Sequence, residues 1–455
     1  MTIKELYKLY QQHPCITTDS RDCPAGSIFL ALKGESFNGN QFALQALEKG
    51  CSYAIIDEKE YLAGERTILV DDCLQTFKDL AREHRRQFNI PVIGITGTNG
   101  KTTTKELVRA VLAEKYNVLA TEGNFNNDVG VPKTLFRLSS EHEIAIIEMG
   151  ASHPGDIKTL AETAEPTCGL ITNVGRAHLL GFGSFEKVVK TKGELYDFLS
   201  RRGESLVFIN ADNERLLSIL PDNVWVAPYS SHADNAEGCT VGEVVFCAPF
   251  LKFRWRESDS NLEDKGEEVQ WYEVQTQLIG AYNLDNMMAA IAVGLNFGVE
   301  PEAINHALMA YKPSNNRSQL TVTAKNHLVV DAYNANPSSM RAALDNFQLM
   351  DVSPKMVILG EMRELGNSSR KEHHKLVARL ADCGFDKVWL VGDEFLRTSP
   401  HTGAEDSPSS LPSTFRHFHD VEEVKAAIAA DQPQGYYILI KGSNGTRLFQ
   451  LPELL

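Results

Sequence analysis

The 455-residue chain has no Cys-x-x-Cys pair, no internal repeat, and no apolar run near the roughly 20 residues that cross a bilayer. Each absence excludes something. Its eight cysteines, scattered at 15, 23, 51, 73, 168, 239, 247 and 383, lack both disulfide-framework and metal-type spacing. They read as reduced structural thiols of an intracellular protein. The start, Met1–Tyr10, is polar and amphipathic, which excludes a signal peptide. Basic residues are in deficit. A net charge of −15 argues against broad binding to nucleic acid or anionic membrane. Small anions held by local basic residues stay open. The expectation is a cytoplasmic protein without membrane insertion.

What is present is an ordinary globular balance, 43% apolar and 23% charged, in a chain long enough for two to four domains. Residues 1–86 suggest a small α/β domain, with strands at Ser27–Leu32, Tyr53–Asp57 and Thr67–Val70 and helices at Phe42–Lys49 and from Cys73 to about Phe88. Asn89-Ile-Pro91 marks a boundary. Residues 87–313 then alternate strand and helix, which implies a mostly parallel sheet. Its strands are Val92–Thr96, Ile144–Glu148, Gly169–Val174 and Leu206–Ile209, followed by shorter strands from about 224 to 279 around a charged loop at Glu257–Glu268. Asn283–Phe297 is an apolar helix. After a polar break at Pro313–Asn316, residues 314–455 resume the βα rhythm, with strands at Leu328–Asp331, Met356–Leu359, Lys387–Val391 and Tyr436–Ile440. Ser399–Thr414 reads as a surface loop.

Chemistry first shows at Pro91–Thr104. A buried strand enters a Gly-rich turn, and the turn opens a helix over Lys101–Lys115. Successive backbone N–H groups are thereby aimed at an anion, with the helix dipole behind them. Lys101 is placed to reach the outer phosphates of a nucleotide, and the Thr102 hydroxyl to ligate Mg²⁺. The usual pattern G-x-x-x-x-G-K-[ST] needs glycine at position 95, which is Ile95 here. The alternative is a turn that merely joins strand to helix.

A nucleotide loop leaves the reaction open. Glu148 ends a buried strand, where a carboxylate can hold Mg²⁺ directly or through water. By itself it is equally a strand-end carboxylate facing solvent. A lone histidine after a strand, such as His178, is more often structural. Lys192, on a helix with other charges, reads alone as a solvated lysine.

Together these pieces resemble the Mur ligase family, over essentially the whole chain. Gly97-Thr-Asn-Gly-Lys-Thr-Thr103 is similar to that family's variant of the loop, which accounts for the missing glycine. Asn173-Val-Gly-Arg-Ala-His-Leu-Leu-Gly-Phe-Gly183 looks like its histidine segment. Lys190-Thr-Lys-Gly-Glu-Leu195 looks like the segment whose lysine is carbamylated in many members. Asp331-Ala-Tyr-Asn-Ala-Asn-Pro-Ser-Ser-Met340, Leu359-Gly-Glu-Met-Arg-Glu-Leu-Gly366 and Lys441-Gly-Ser-Asn-Gly-Thr-Arg447 resemble the members that add D-alanyl-D-alanine to UDP-N-acetylmuramoyl-tripeptide.

The resemblance implies three domains: a small N-terminal α/β UDP-sugar domain (1–86), a central P-loop ATPase-like parallel-sheet domain (87–313) and a C-terminal Rossmann-like ligase domain (314–455). It implies ATP bound by Gly97, Thr98, Asn99, Gly100, Lys101, Thr102, Thr103, Asn286, Arg317, Asp331 and Tyr333. It implies Mg²⁺ at Thr102, Glu148, His178 and carbamylated Lys192, with catalysis by Lys101, Lys192, His178 and Arg317. Ser20 and Arg21, in Thr18-Asp-Ser-Arg21, and Lys33 and Gly34 resemble the UDP-sugar pocket. Nearby, Asn38-Gly-Asn40 stands where the family usually shows Asp-Gly-His. Asn126 and Asn127, in Thr121–Pro132, and Asn334 and Asn336 are implied substrate contacts. A monomer is the expected state.

The implied chemistry starts from a poor acylating agent, a carboxylate. Transfer of the ATP γ-phosphoryl group would make it an acyl phosphate, and positioned lysine, metal and backbone N–H groups would stabilise the charge that develops. The dipeptide amine would then displace phosphate. Closure about residues 86–91 and 312–316 would exclude water. Three rivals stand beside this reading. One is a Mur ligase adding the third residue, lysine or diaminopimelate; the diaminopimelate enzyme typically carries Asp-Asn-Pro-Arg, and here Ser338 follows Asn336-Pro337. A folylpolyglutamate synthetase lacks the UDP-sugar-like N-terminus. A nucleotide switch without ligase activity does not need Lys192 and His178 beside the loop.

Overall fold

A computed structural model describes residues 1–232, 238–247, 249–257, 270–313, 319–398 and 412–455. The loop read at Glu257–Glu268, most of the break at Pro313–Asn316, most of the loop at Ser399–Thr414 and Arg317 lie outside the described residues.

Among the described residues three large sheets carry the fold, beside a two-stranded ribbon of Lys33–Gly34 and Phe37–Asn38. The first has four parallel strands in the order Ile16–Thr17, Ile28–Leu30, Tyr53–Ile56 and Thr67–Leu69. The stretch read as a polar N-terminus is a helix, Ile3–Gln12. A capping box starts it, with Thr2 and Glu5 bonding each other's backbone N–H groups. Leu6, Tyr7 and Tyr10 on its buried face close one side of this sheet.

The central sheet has nine strands. Its parallel part runs, in spatial order, Thr240–Cys247, Trp225–Ser230, Leu206–Asn210, Cys168–Ile171, Val92–Thr96, Ile144–Glu148 and Val118–Ala120. Phe250–Arg256 and Tyr272–Ile279 extend it as antiparallel strands. The strands Val92–Thr96 and Ile144–Glu148 are buried at every position, so both faces must be covered. Helix Lys101–Leu112 covers one face through Leu107, Val108, Val111 and Leu112. Helix Leu284–Asn296, apolar nearly all round, seals that helix from behind with Met287, Met288 and Ile291. Each fully buried side chain of this size contributes roughly 1.5–3 kcal/mol. The helix that bears the phosphate loop is therefore rigidly backed.

The third sheet has six strands, in the order Gln319–Val322, His327–Asp331, Tyr437–Lys441, Lys355–Gly360, Lys387–Val391 and Phe415–Phe418. The first is antiparallel and the rest are parallel. After Asp331 the chain crosses over Tyr437–Lys441 to reach the strand at 355. Reversals of this kind leave a crevice beyond the carboxyl ends of the strands.

The joint at 86–91, expected as a hinge, is tied down. Arg85 is buried, and its guanidinium donates to the carbonyls of Ala164 (3.2 Å), Phe88 (2.8 Å) and Ile90 (3.3 Å). Arg86 holds Glu165 through paired bonds, and His84 Nε2 contacts the Leu138 carbonyl at 3.1 Å. These contacts fasten the first sheet's domain to the central one. Replacing Arg85 with alanine orphans several buried carbonyls. We expect Arg85→Ala to lower stability by about 2–3 kcal/mol in chemical denaturation. An unchanged midpoint would show that the joint is not fastened this way.

Candidate active site

The strands Val92–Thr96, Ile144–Glu148 and Cys168–Ile171 are neighbours and end on the same side of the central sheet. Their following loops therefore meet. Gly97 leaves its strand at φ +144°, and a Cβ there would lie 2.0 Å from Thr172 Oγ1 and 3.0 Å from the Thr172 backbone nitrogen. Only glycine allows the loop to pass so close to the neighbouring strand end. The loop is then pinned across that gap. Thr172 Oγ1 donates to the Asn99 carbonyl (2.6 Å), the Asn99 N–H donates to Asn173 Oδ1 (3.0 Å), and the Thr98 N–H donates to the Asn173 carbonyl (2.9 Å). Lys101 Nζ folds back onto the carbonyls of Gly97 (2.9 Å) and Thr98 (3.1 Å).

Glu148 is 1% exposed, and both of its oxygens are engaged. Thr102 Oγ1 donates to Oε2 at 2.9 Å, and Asn126 Nδ2 donates to Oε1 at 2.8 Å. Asn286 accepts from Thr104 Oγ1 at 2.9 Å and donates to Asn283 Oδ1 at 2.8 Å. It thereby fastens the apolar helix to the first turn of the loop helix.

His178 and Lys192 come from opposite sides of one turn. His178 sits at φ +50°, and its Nδ1 lies against the Glu364 carboxylate of the third sheet's domain. Burial lowers its pKa against the pull of Glu364, and the cations Lys101 and Lys192 lower it further. Lys192 is 3% exposed, with its Nζ 6.0 Å from the centre of the Phe182 ring. Burial holds its pKa well below the usual lysine range and Lys101 adds to this, while Asp156, Glu194 and Glu148 oppose it. The amine is thus biased toward its neutral, nucleophilic form.

The facing wall is the C-terminal sheet. Asp331 pairs with Lys441 across adjacent strands, and Lys441 also donates to the Asn334 carbonyl at 3.3 Å. Asn336 caps helix Pro337–Leu349 and reaches across to donate to Asn99 Oδ1 at 2.7 Å. Leu180 N–H donates to the Glu364 carbonyl at 3.1 Å. Between the walls lies a cleft of ≈ 830 Å³.

Of the residues expected from sequence, Thr98, Asn99, Gly100, Lys101, Thr102, Thr103, Asn126, Asn127, Glu148, His178, Asn286, Asp331, Tyr333 and Asn334 line this cleft. Gly97, Lys192 and Asn336 support it from behind. Ser20, Arg21, Lys33 and Gly34 are not brought to it. Arg21 grips Asp19 through two bonds at 2.9 and 2.8 Å, and Lys33 pairs with Asp57 (3.1 Å) and Glu58 (3.5 Å). Asn40, at the unusual position of the family's histidine, is fully buried. It donates to Asp57 Oδ1 and accepts from the Asp57 N–H. The residues that sequence reasoning missed are Lys441, Glu364 and Asn173. Each lies inside a segment whose resemblance was noted, so the segment was visible and the individual role was not.

A phosphate loop, a buried metal-type carboxylate and a Rossmann-like wall across a cleft define the class of nucleotide-dependent ligases. Family models agree along the chain: "Mur ligase family, catalytic domain" at residues 14–96, "Mur ligase middle domain" at 95–294, and "Mur ligase, glutamate ligase domain" at 316–444. The chain belongs to the Mur ligase family. It is 33% identical to the UDP-N-acetylmuramoyl-tripeptide–D-alanyl-D-alanine ligase of Synechocystis, over 95% of this chain and 90% of that one. Among solved structures, MurF from Acinetobacter baumannii matches with a TM-score of 0.85 at 28% identity, covering 99% of this chain and 97% of the other. The MurF ligase of Thermotoga maritima, solved in complex with ADP, matches at 0.82 and 26%, covering 97% of each.

The close approach at Gly97 gives a direct test. We expect Gly97→Ala to weaken ADP binding at least ~10-fold by calorimetry, about 1.4 kcal/mol, with the fold retained. Unchanged affinity would mean that the loop does not cradle phosphate.

Proposed function

We infer that this chain is the ATP-dependent ligase that adds D-alanyl-D-alanine to UDP-N-acetylmuramoyl-tripeptide in peptidoglycan precursor synthesis. One observation carries the reading. A single cleft joins a phosphate loop and a buried carboxylate on one wall, backed by the buried Lys192, to an Asp331–Lys441 pair on the other. The near full-length likeness to ligases named for that reaction supports it.

The loop N–H groups and Lys101 hold the ATP phosphates. Glu148 Oε2 and Thr102 Oγ1, 2.9 Å apart, suit Mg²⁺, which prefers oxygen donors. Among the described residues no three His, Cys, Asp or Glu side chains cluster closely enough to hold a metal by themselves. Glu148 and Thr102 would hold such an ion beside the phosphates, with His178, which lines the same cleft, as a further ligand. It would supply positive charge where charge develops during phosphoryl transfer. Lys192, whose pKa burial holds well below the usual lysine range, would take up CO₂ as a carbamate with release of a proton, and the resulting anion would offer oxygens to a second ion.

The C-terminal wall supplies orientation. Asp331, Tyr333 and Asn334 face the nucleotide loop, with Lys441 keeping Asp331 in place. Arg317 is assigned by resemblance as a phosphate contact from this domain. Asn126 and Asn127 approach the peptide carboxylate from the loop beside Glu148. Ser20, Arg21, Lys33 and Gly34 are assigned to the UDP end, where the ion pairs of Arg21 and Lys33 would open to accept phosphate. Enclosure of the acyl phosphate between the walls keeps water from it while the dipeptide amine attacks. The active unit is a monomer, since one chain provides both walls.

One assay tests the reading. With UDP-N-acetylmuramoyl-tripeptide, ATP and Mg²⁺, phosphate release should require D-alanyl-D-alanine. It should also fall in CO₂-depleted buffer and return with bicarbonate. Release indifferent to the dipeptide would overturn the function, and indifference to bicarbonate would overturn the carbamate on Lys192.

A further inference from the structure

Lys105 lies one helical turn beyond Lys101 and is completely buried. Its Nζ donates to the Thr121 carbonyl at 2.5 Å and pairs with Glu106 Oε1 at 2.6 Å. A buried lysine is a poor choice for packing alone. Apolar side chains of similar volume commonly replace buried ion pairs with neutral or favourable effect on stability. Its position offers another reason for keeping it.

Thr121 ends the strand Val118–Ala120, which is the edge of the central sheet. On its inner side Thr121 is engaged with the next strand. Its N–H donates to the Ile146 carbonyl (3.0 Å), and its Oγ1 accepts from the Glu148 N–H (3.0 Å). Its carbonyl, which the next strand does not take because the Glu148 N–H goes to Oγ1, accepts from Lys105 on the phosphate-loop helix. The segment leaving Thr121 turns back to the cleft. Asn126 Nδ2 reaches Glu148 Oε1 at 2.8 Å, and the Asn126 carbonyl accepts from the Gly150 N–H at 2.7 Å. The far end of the loop is held as well, by Asn127 Oδ1 accepting from the Gly130 N–H at 2.9 Å.

We propose that Lys105 is a positioning residue for the reaction: by fixing the Thr121 carbonyl it sets the loop that delivers Asn126 onto Glu148 and Asn127 into the cleft. It touches neither nucleotide nor peptide. It acts through the loop, and the Glu148 carboxylate is oriented from two sides, by Thr102 on the phosphate-loop helix and by Asn126 on this loop. The proposal rests on the ligase reading of the cleft.

The test uses the full chain with Lys105→Met, which keeps length and removes the donors, and Lys105→Gln, which keeps an N–H donor. Hydrogen exchange on the ligand-free proteins reads the loop without any turnover. In Lys105→Met, peptides covering 121–130 should exchange at least ~10-fold faster, with those covering 101–112 unchanged. In the assay above, kcat should fall ~10- to 100-fold and the Mg²⁺ concentration for half-activity should rise. KM for D-alanyl-D-alanine should hold, because no dipeptide contact is removed. Lys105→Gln should recover part of kcat. Wild-type loop exchange and wild-type Mg²⁺ dependence in Lys105→Met would overturn the proposal. So would failure of both variants to fold, which would make Lys105 a folding residue. Absence of dipeptide-dependent release by the wild-type protein in the same run would instead strike the ligase reading.

Discussion

The arrangement depends on one constraint: a carboxylate, Glu148, held almost free of water at the end of a buried strand. An isolated carboxylate is costly to bury unless it is bonded on every side. Here Thr102 satisfies one oxygen and Asn126 the other. To meet both, the phosphate-loop helix and the 121–130 loop must each sit in one place. That in turn calls for the close passage of Gly97 against Thr172 and for the apolar helix packed behind Lys101–Leu112. A metal-binding group and a phosphate cradle are thus brought into register by the same set of bonds.

The second wall meets the first in two ways. Asn336 to Asn99, the Glu364 carbonyl to Leu180, and the Glu364 carboxylate to His178 are polar contacts, while Ile279 and Phe250 of the central sheet pack into the apolar core of the C-terminal domain. The N-terminal joint is different, since Arg85, Arg86 and His84 bolt it to the central sheet. Separation of the two walls would break the contacts to Asn99 and His178.

Much of the fold was legible in the sequence. Val92–Thr96, Ile144–Glu148 and Lys387–Val391 match the expected strands residue for residue, because each is a short apolar run entered or left by turn residues. Ile3–Gln12 was passed over as an amphipathic start, although Thr2 and Glu5 carried a capping signal. The edge strands Val118–Ala120 and Phe415–Phe418 are too short to show a period. Within the site, the phosphate loop was legible because its chemistry is local. The pairs that complete it are not local: Lys441 with Asp331 spans 110 residues and Asn336 with Asn99 spans 237. No periodicity reveals such a pair. The polar N-terminal residues rest on motif likeness alone, and in the fold Arg21 pairs with Asp19 and Lys33 with Asp57 and Glu58.

Glu148 is also where the account is most exposed to test. ADP binding should be measured by calorimetry with and without Mg²⁺, for the wild-type chain and for Glu148→Gln. Glutamine keeps the shape and removes the charge. The account expects Mg²⁺ to tighten ADP on the wild-type protein and to have little effect on the variant, whose Mg²⁺-free affinity stays near wild type. If Mg²⁺ tightens ADP equally on both, Glu148 does not hold the metal, and the constraint on which the cleft is built has been misassigned.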